Sequence, residues 1–406
     1  MNICCFSIVT YWHGIKGGLE VHGKLLCERL VEMGHNVTII STNHPEKTEF
    51  EERKGIKLYY LQNTIFGSKR RGWKTASIKK FIELDKIHNF DVIFSMSASI
   101  SRGLIAAVRK RKSPLIIISE GPEITFLISE INQVLYHGSG FRNLTKIFLA
   151  FLYYYFFWEF AFRKCDAVIT VSREMTNTIK KWHFVGKEKI FTVNNCAETN
   201  RFYPDQTQRE RTRKELAITD KEKVLLFFSS ITKQKGAHLL IKALQGILKT
   251  DDQVKLMVVG DGDYLSGAKQ LVKLLGLETH VIFTGFASRE KAPHYINASD
   301  IFILPTLRME GMPFSVLEAM ACQKPVIASQ IGGILSIIDD GVDGLLIPPG
   351  DIPELIRKTL FLLNNKNFAG KLAKNAREKI IQKFSVDNMA EETVKIFESA
   401  MTRKKE

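Results

Sequence analysis

Along this chain, short apolar runs alternate with longer stretches in which apolar residues recur every three or four positions. The first half offers strands at Ile3–Thr10, Asn36–Ser41, Ile56–Leu61, Val92–Ser95, Leu115–Ser119, Ala167–Val171 and Ile190–Val193. The second half offers Val224–Ser229, Lys255–Val259, His280–Phe283, Ile301–Pro305, Pro325–Ala328 and Gly344–Ile347. These runs are nearly continuous in Val, Ile, Leu and Phe, the pattern of parallel strands covered on both faces. Between them Gly18–Met33, Ala237–Leu248, Gly267–Leu275 and Phe314–Met320 read as amphipathic helices. Repeated strand–helix alternation predicts an α/β fold of two doubly wound domains. A chain of 406 residues is also too long for one compact core. The boundary is expected in the polar, turn-rich stretch Asn194–Arg209. That gives one domain over 1–195, a second over 196–385, and a C-terminal helix over 386–406 whose basic end, Thr402–Glu406, should fray. The two are expected to face each other across a cleft lined by the carboxyl ends of strands, where ligands of such folds bind.

Composition narrows the classes. Hydrophobic residues at 45% and charged residues at 25% exclude disorder, collagen and coiled coil as the main architecture. The net charge of +15 is uneven, because residues 1–195 hold 28 basic and 17 acidic side chains. Within 69–112 there are 12 Lys or Arg against three acids. A basic first half points to a polyanionic partner, a membrane surface or a nucleic acid. Basic residues interleaved with aromatics in a known nucleic-acid module are not found, so no nucleic acid is expected. Residues 147–162, IFLAFLYYYFFWEFAF, contain ten aromatics and one charge, with Lys146, Arg163 and Lys164 at the ends. The run is short for a bilayer span, and it reads either as a buried helix or as a surface lying in the membrane interface. With the basic excess beside it, docking on an anionic membrane is the preferred expectation. The six cysteines form no Cys-x-x-Cys pair, so neither a zinc site nor a disulfide framework is expected, and a reducing compartment is. The start, MNICCFSIVTYW, lacks the basic region of a signal peptide and reads as a buried strand.

The segment Leu304–Gln330, LPTLRMEGMPFSVLEAMACQKPVIASQ, carries the chemistry. An apolar strand ends at Pro305, Glu310-Gly311-Met312-Pro313 forms a turn, and a helix opens near Phe314. The helix start presents the N–H groups of Phe314 and Ser315 and the positive end of the dipole to an anion. Glu310 and Glu318, eight residues apart, can accept hydrogen bonds from ligand hydroxyls. In isolation two such glutamates are better explained as a charged helix face.

The surrounding words resemble those of the retaining glycosyltransferases of family 4, the group 1 glycosyltransferases, which have the GT-B fold of two Rossmann-like domains. The resemblance covers LEAMACQKPVIAS, IGGI at 331–334, DGVDGLLIPPGD at 340–351, GGLEVHGKLLCERLVEMGHNVTIIST at 17–42 and KIFTVNNCAETNRFYP at 189–204. It implies that Glu310 contacts donor-sugar hydroxyls, that Glu318 binds the nucleotide ribose and that Lys235, in KQKG, neutralises the departing diphosphate. It further implies that Gly17 and Gly18 let the first loop approach the diphosphate and that Gly285-Phe286 cradles the base.

Three departures stand out. Ser230 occupies the place of an arginine five positions before the phosphate-binding lysine, so Arg308 or Lys233 would have to compensate. Pro313 replaces a glycine and has no N–H to offer. The family's N-domain histidine near the acceptor has its place after the strand Leu115–Ser119, where Glu120 stands. Elsewhere the residues read as structural or as undecided. Asp261 and Asp263 in VVGDGD read as a turn, so no metal is expected. His35 reads as a loop residue, and His22, on the first helix, reads equally as cleft-facing or structural.

The function implied is retaining transfer of a sugar from a nucleotide-sugar donor to a lipid-linked or cell-surface glycan acceptor. Surface polysaccharide, lipopolysaccharide or glycolipid assembly is the setting, at the cytoplasmic face of a membrane and without a cofactor. The alternatives are an epimerase or phosphorylase of the same fold, or a non-catalytic membrane-binding relative.

Overall fold

The computed structural model describes residues 1–14, 17–68, 72–96, 100–121 and 144–405, which fall into two compact units. One unit contains Met1–Ile124, Thr145–Asn195 and Val386–Glu406, and the other is built on Cys196–Ser385.

The first unit runs β1 (Asn2–Phe6), α1 (Gly18–Glu32), β2 (Asn36–Thr42), β3 (Phe50–Arg53), β4 (Ile56–Leu61), α2 (Trp73–His88), β5 (Val92–Met96), α3 (Arg102–Arg109), β6 (Leu115–Ser119), α4 (Leu144–Lys164), β7 (Ala167–Thr170), α5 (Arg173–Trp182) and β8 (Ile190–Thr192). Its eight-stranded sheet has the order β3-β4-β2-β1-β5-β6-β7-β8. All pairs are parallel except β3–β4. β1 ends at Phe6, four residues short of the sequence expectation, because Ser7–Thr10 leave the sheet for a short 3₁₀ turn at Tyr11–His13. Side-chain caps start two helices: Ser101 accepts from the N–H of Leu104, and Ser172 from that of Met175.

The second unit runs α6 (Gln206–Glu215), β9 (Lys223–Phe228), α7 (Ala237–Leu248), β10 (Val254–Val259), α8 (Leu265–Leu274), β11 (Val281–Gly285), α9 (Ala292–Ala298), β12 (Ile301–Leu304), α10 (Phe314–Ala321), β13 (Val326–Ser329), β14 (Leu345–Ile347), α11 (Ile352–Asn364) and α12 (Lys366–Lys383). Its six strands are all parallel, in the order β11-β10-β9-β12-β13-β14. Strand order reverses between β9 and β12, and doubly wound sheets open a crevice at such a switch point.

The last helix, α13 (Val386–Lys405), belongs to the first unit. Phe397 is fully buried with its ring 5.7 Å from that of Phe94 in β5. The expected fraying is corrected here, since the helix continues to Lys405 and Lys404 Nζ pairs with both oxygens of Asp166 at 3.0 and 2.9 Å.

The aromatic run also departs from a simple docking surface. α4 buries Trp158, Ala161 and Phe162 in the core of the first unit, where Trp158 is 2% exposed. Phe156, two residues earlier, is 61% exposed. Among the described side chains, periodicity around the helix thus separates a core face from the exposed position of Phe156. Among the described residues, no helix is long and apolar enough to cross a membrane. All six cysteines are free and buried.

Candidate active site

In the second unit, two loops meet at the switch point. The loop after β9 makes a 3₁₀ turn at Lys233–Lys235 and enters α7 through Gly236, whose φ is +83°. A Cβ at Gly236 would lie 1.9 Å from the carbonyl oxygen of Pro305, just past β12, so only glycine lets the loops come this close. The Gln234 carbonyl then accepts from the N–H of Leu307 at 2.8 Å and from the Thr306 hydroxyl at 3.1 Å. This stitching delivers Lys235 to Glu310. Lys235 Nζ donates to Glu310 Oε1 at 2.7 Å and Oε2 at 2.8 Å, and Thr306 Oγ1 donates to Oε1 at 3.0 Å.

Glu310 is buried. Burial alone would raise its carboxyl, but Lys235 and then Arg308 outweigh it and hold the group below the usual carboxylate range. The backbone of Glu310 is fixed by a third loop, in which the Gly333 N–H donates to the Glu310 carbonyl at 2.8 Å. A Cβ at Gly332, whose φ is +56°, would lie 2.5 Å from that same oxygen. The IGGI segment is thus a cradle for Glu310, a role that sequence reasoning did not assign.

α10 opens at Phe314 with Pro313 as its N-cap, so the N–H groups of Phe314 and Ser315 have no partner within the helix. Gly311 is half-buried and Met312 buried. Glu318 is buried one turn along, and its Oε1 accepts from Arg289 Nη1 at 2.5 Å. Burial raises the Glu318 carboxyl and Arg289 opposes that, leaving it above the ordinary value. Arg289 was missed in the sequence because it stands 29 residues away on the loop after β11. In that loop Gly285 has a φ of +73° and Phe286 is exposed. Arg308, Lys233 and Ser230 are exposed, and Lys233 Nζ lies 5.6 Å from the Tyr264 ring centroid. Asp261 and Asp263 are exposed in a turn in which the Asp261 carbonyl accepts from the Ile231 N–H at 2.8 Å.

The first unit places a second group of residues at the carboxyl end of its sheet. Gly17 caps α1 and Gly18 begins it. The space a Cβ would need at Gly17 is filled by Glu20 Oε2, 2.5 Å away. Burial raises the Glu20 carboxyl, and repulsion from Glu120 adds to this. His22 is buried, and its Nδ1 lies 2.8 Å from Glu120 Oε1. The structure therefore joins His22 and Glu120, which the sequence left as separate candidates 98 residues apart.

Comparison with known proteins places both units. Residues 208–379 match the family described as glycosyl transferases group 1, and residues 16–201 match glycosyltransferase family 4. The chain belongs to the group 1 glycosyltransferases. It is 25% identical over 406 residues to the N-acetyl-alpha-D-glucosaminyl L-malate synthase of Bacillus anthracis, covering 98% of this chain and 96% of that one. It is 27% identical over 341 residues to the alpha-monoglucosyldiacylglycerol synthase of Streptococcus pneumoniae, covering 83% and 73%. The crystal structure of Anabaena HepE in complex with UDP and glucose superposes with a TM-score of 0.76 at 20% identity, covering 98% and 100%. This glycosyltransferase therefore has the GT-B fold, two Rossmann-like α/β units with parallel sheets, and is a transferase.

Proposed function

We propose that this glycosyltransferase moves a sugar, with retention at the anomeric carbon, from a nucleotide-sugar donor to a lipid-linked or cell-surface glycan acceptor. The pairing of Lys235 with Glu310 at the switch point of the second sheet carries the reading. A nucleoside diphosphate would present its phosphates to Lys235 and to the N–H groups of Phe314 and Ser315, a cation and a helix start suited to a leaving diphosphate. Glu310 would accept from donor-sugar hydroxyls, Glu318 from the ribose, and the loop of Gly285 and Phe286 would flank the base. Gly17 and Gly18 would admit the diphosphate to the first loop of the N-terminal unit. The acceptor hydroxyl would attack from the face the nucleotide leaves, with a departing phosphate oxygen taking its proton. The Glu120–His22 pair would orient the acceptor. The cation for the leaving group is Lys235, so the reaction as proposed calls for no metal.

The N-terminal unit would dock on an anionic membrane surface from the cytoplasmic side. Support comes from the basic excess of residues 1–195 and from an exposed aromatic patch. Phe156, Trp182 and Phe184 are 61%, 45% and 82% exposed. They are drawn together by the Tyr155 hydroxyl, which donates to the Trp182 carbonyl at 2.6 Å, and by the Phe184 N–H, which donates to Glu159 at 3.1 Å. The relative named as a monoglucosyldiacylglycerol synthase supports a lipid acceptor.

A panel of UDP-, GDP- and ADP-sugars, read by donor hydrolysis and by thermal shift, tests the donor reading. One nucleotide series should raise the melting temperature and release free sugar. No shift and no hydrolysis with any of them would refute it.

A further inference from the structure

Arg289 is 8% exposed and sits between two carboxylates. Its Nη1 donates to Glu318 Oε1 at 2.5 Å and its Nε to Glu198 Oε2 at 2.9 Å. Its guanidinium lies 5.2 Å from the Phe202 ring centroid and 5.8 Å from that of Phe314, the first residue of α10. Nη2 is buried with no hydrogen-bond partner among the described residues. Arg289 therefore grips α10 at two points one turn apart, Phe314 by its ring and Glu318 by its carboxylate. Burying a guanidinium in this way is costly unless both its charge and its geometry are used. Glu198 holds the other end of the fork, so the plane of the guanidinium is fixed from both sides.

A carboxylate that recognises hydroxyls must be held at one rotation, or its oxygens average over directions. Oε1 of Glu318 is taken by Arg289, and Oε2 accepts no hydrogen bond among the described residues. We infer that Arg289 is a positioning residue for nucleotide recognition, turning the Glu318 carboxylate so that Oε2 meets the ribose hydroxyls of a nucleoside diphosphate. This rests on the reading of Glu318 as the ribose contact. The guanidinium itself touches neither sugar nor phosphate. Its effect passes through one oxygen of a neighbour, so it belongs to nucleotide affinity and not to the chemical step.

The test is calorimetric titration of the full chain with UDP, GDP and the 2′,3′-dideoxy form of each, beside a melting curve. The nucleotide that binds native protein should bind Arg289→Met about tenfold more weakly, a loss of about 1.4 kcal/mol, while its dideoxy form binds both proteins alike. Arg289→Lys retains the charge but cannot fork between two carboxylates, so it should show a smaller loss with the same selectivity. Where Arg289→Met fails to fold, Arg289→Lys carries the comparison alone. Equal weakening of ribose and dideoxy forms in the arginine variants, with Glu318→Gln still selective for the ribose form, overturns the positioning role only. Equal weakening of both forms by Glu318→Gln overturns the ribose reading, and this inference with it.

Discussion

Lys235 and Glu310 neutralise each other across two loops, with one ammonium nitrogen within 2.8 Å of both carboxylate oxygens. Both side chains are largely shielded, at 14% and 8% exposure, so the pair lies where water screens weakly. A diphosphate bound at Lys235, as proposed, would compete with Glu310 for the same ammonium. Under that proposal donor binding and the free-state pairing would be alternative uses of one charge.

Removing either partner should leave the other buried and unpaired. Lys235→Met is expected to cost about 3 kcal/mol of stability, with a loss of turnover of several orders of magnitude. Glu310→Ala should likewise abolish transfer, and it should destabilise the second unit because Lys235 then faces no carboxylate. The double variant Lys235→Met with Glu310→Ala should be more stable than the two losses added, since no buried charge remains. Urea denaturation of the four proteins checks this, and simple additivity would mean that the pair contributes no coupling.

The pH profile follows from the same carboxylate. The Glu310 carboxyl is depressed in the folded chain, so its stabilisation is present above its ordinary value and lost as pH falls through the folded one. Glu318 has the opposite sign, because its raised carboxyl contributes below its ordinary value and that contribution fades as pH rises through the folded one. Between about pH 5 and pH 3, native protein should lose more stability than Glu310→Gln. Parallel stability curves for the two would contradict the depressed carboxyl.

Glu120→Gln and His22→Gln should slow transfer tenfold or more while leaving the affinity for UDP or GDP unchanged. Each replaces one member of a 2.8 Å pair in the first unit, and the nucleotide contacts proposed for Lys235 and Glu318 lie in the second. Steady-state kinetics with separate nucleotide titration distinguishes the two effects. Weakened nucleotide binding with unaltered turnover would move the pair from acceptor to donor.

The aromatic run should divide cleanly on mutation. Trp158→Ser removes a fully packed side chain and should cost about 3 kcal/mol or more. Phe156→Ser and Phe184→Ser should change stability by less than about 0.5 kcal/mol, yet reduce flotation with anionic vesicles. High salt should release only part of the native protein, because the basic residues are screened and the apolar contact is not. Absence from the lipid fraction at every salt concentration would end the docking proposal.

Arginine in place of Ser230 should tighten nucleoside diphosphate binding several-fold. Ser230 is exposed at the carboxyl end of β9, five positions before Lys235, and a guanidinium there adds a forked phosphate donor. Unchanged affinity in thermal-shift titration would place the phosphates elsewhere.

The sheets were legible because their strands are apolar on both faces, and β4, β6 and α7 begin and end where the pattern says. β3 was not, since Phe50–Arg53 reads FEER, and an antiparallel edge strand with three charges carries no buried-strand signal. Glu310 and Lys235 were visible as separate words. Their contact was not, because it depends on a glycine meeting a carbonyl 69 residues later in the chain. Arg289 lay outside every motif, since only the packing of α10 brings it to Glu318. For α4 the composition was plain but its two faces were not, as ten aromatics in sixteen residues hide which of them face the core.

The return of α13 to the first unit sets an order on synthesis. A ribosome has made every residue of Cys196–Ser385 before the first residue of α13 appears. Until then Phe94 lacks Phe397 and Asp166 lacks Lys404. The unit that is begun first is thus completed only after the second, and the nascent N-terminal half waits with an uncovered flank until α13 has been made.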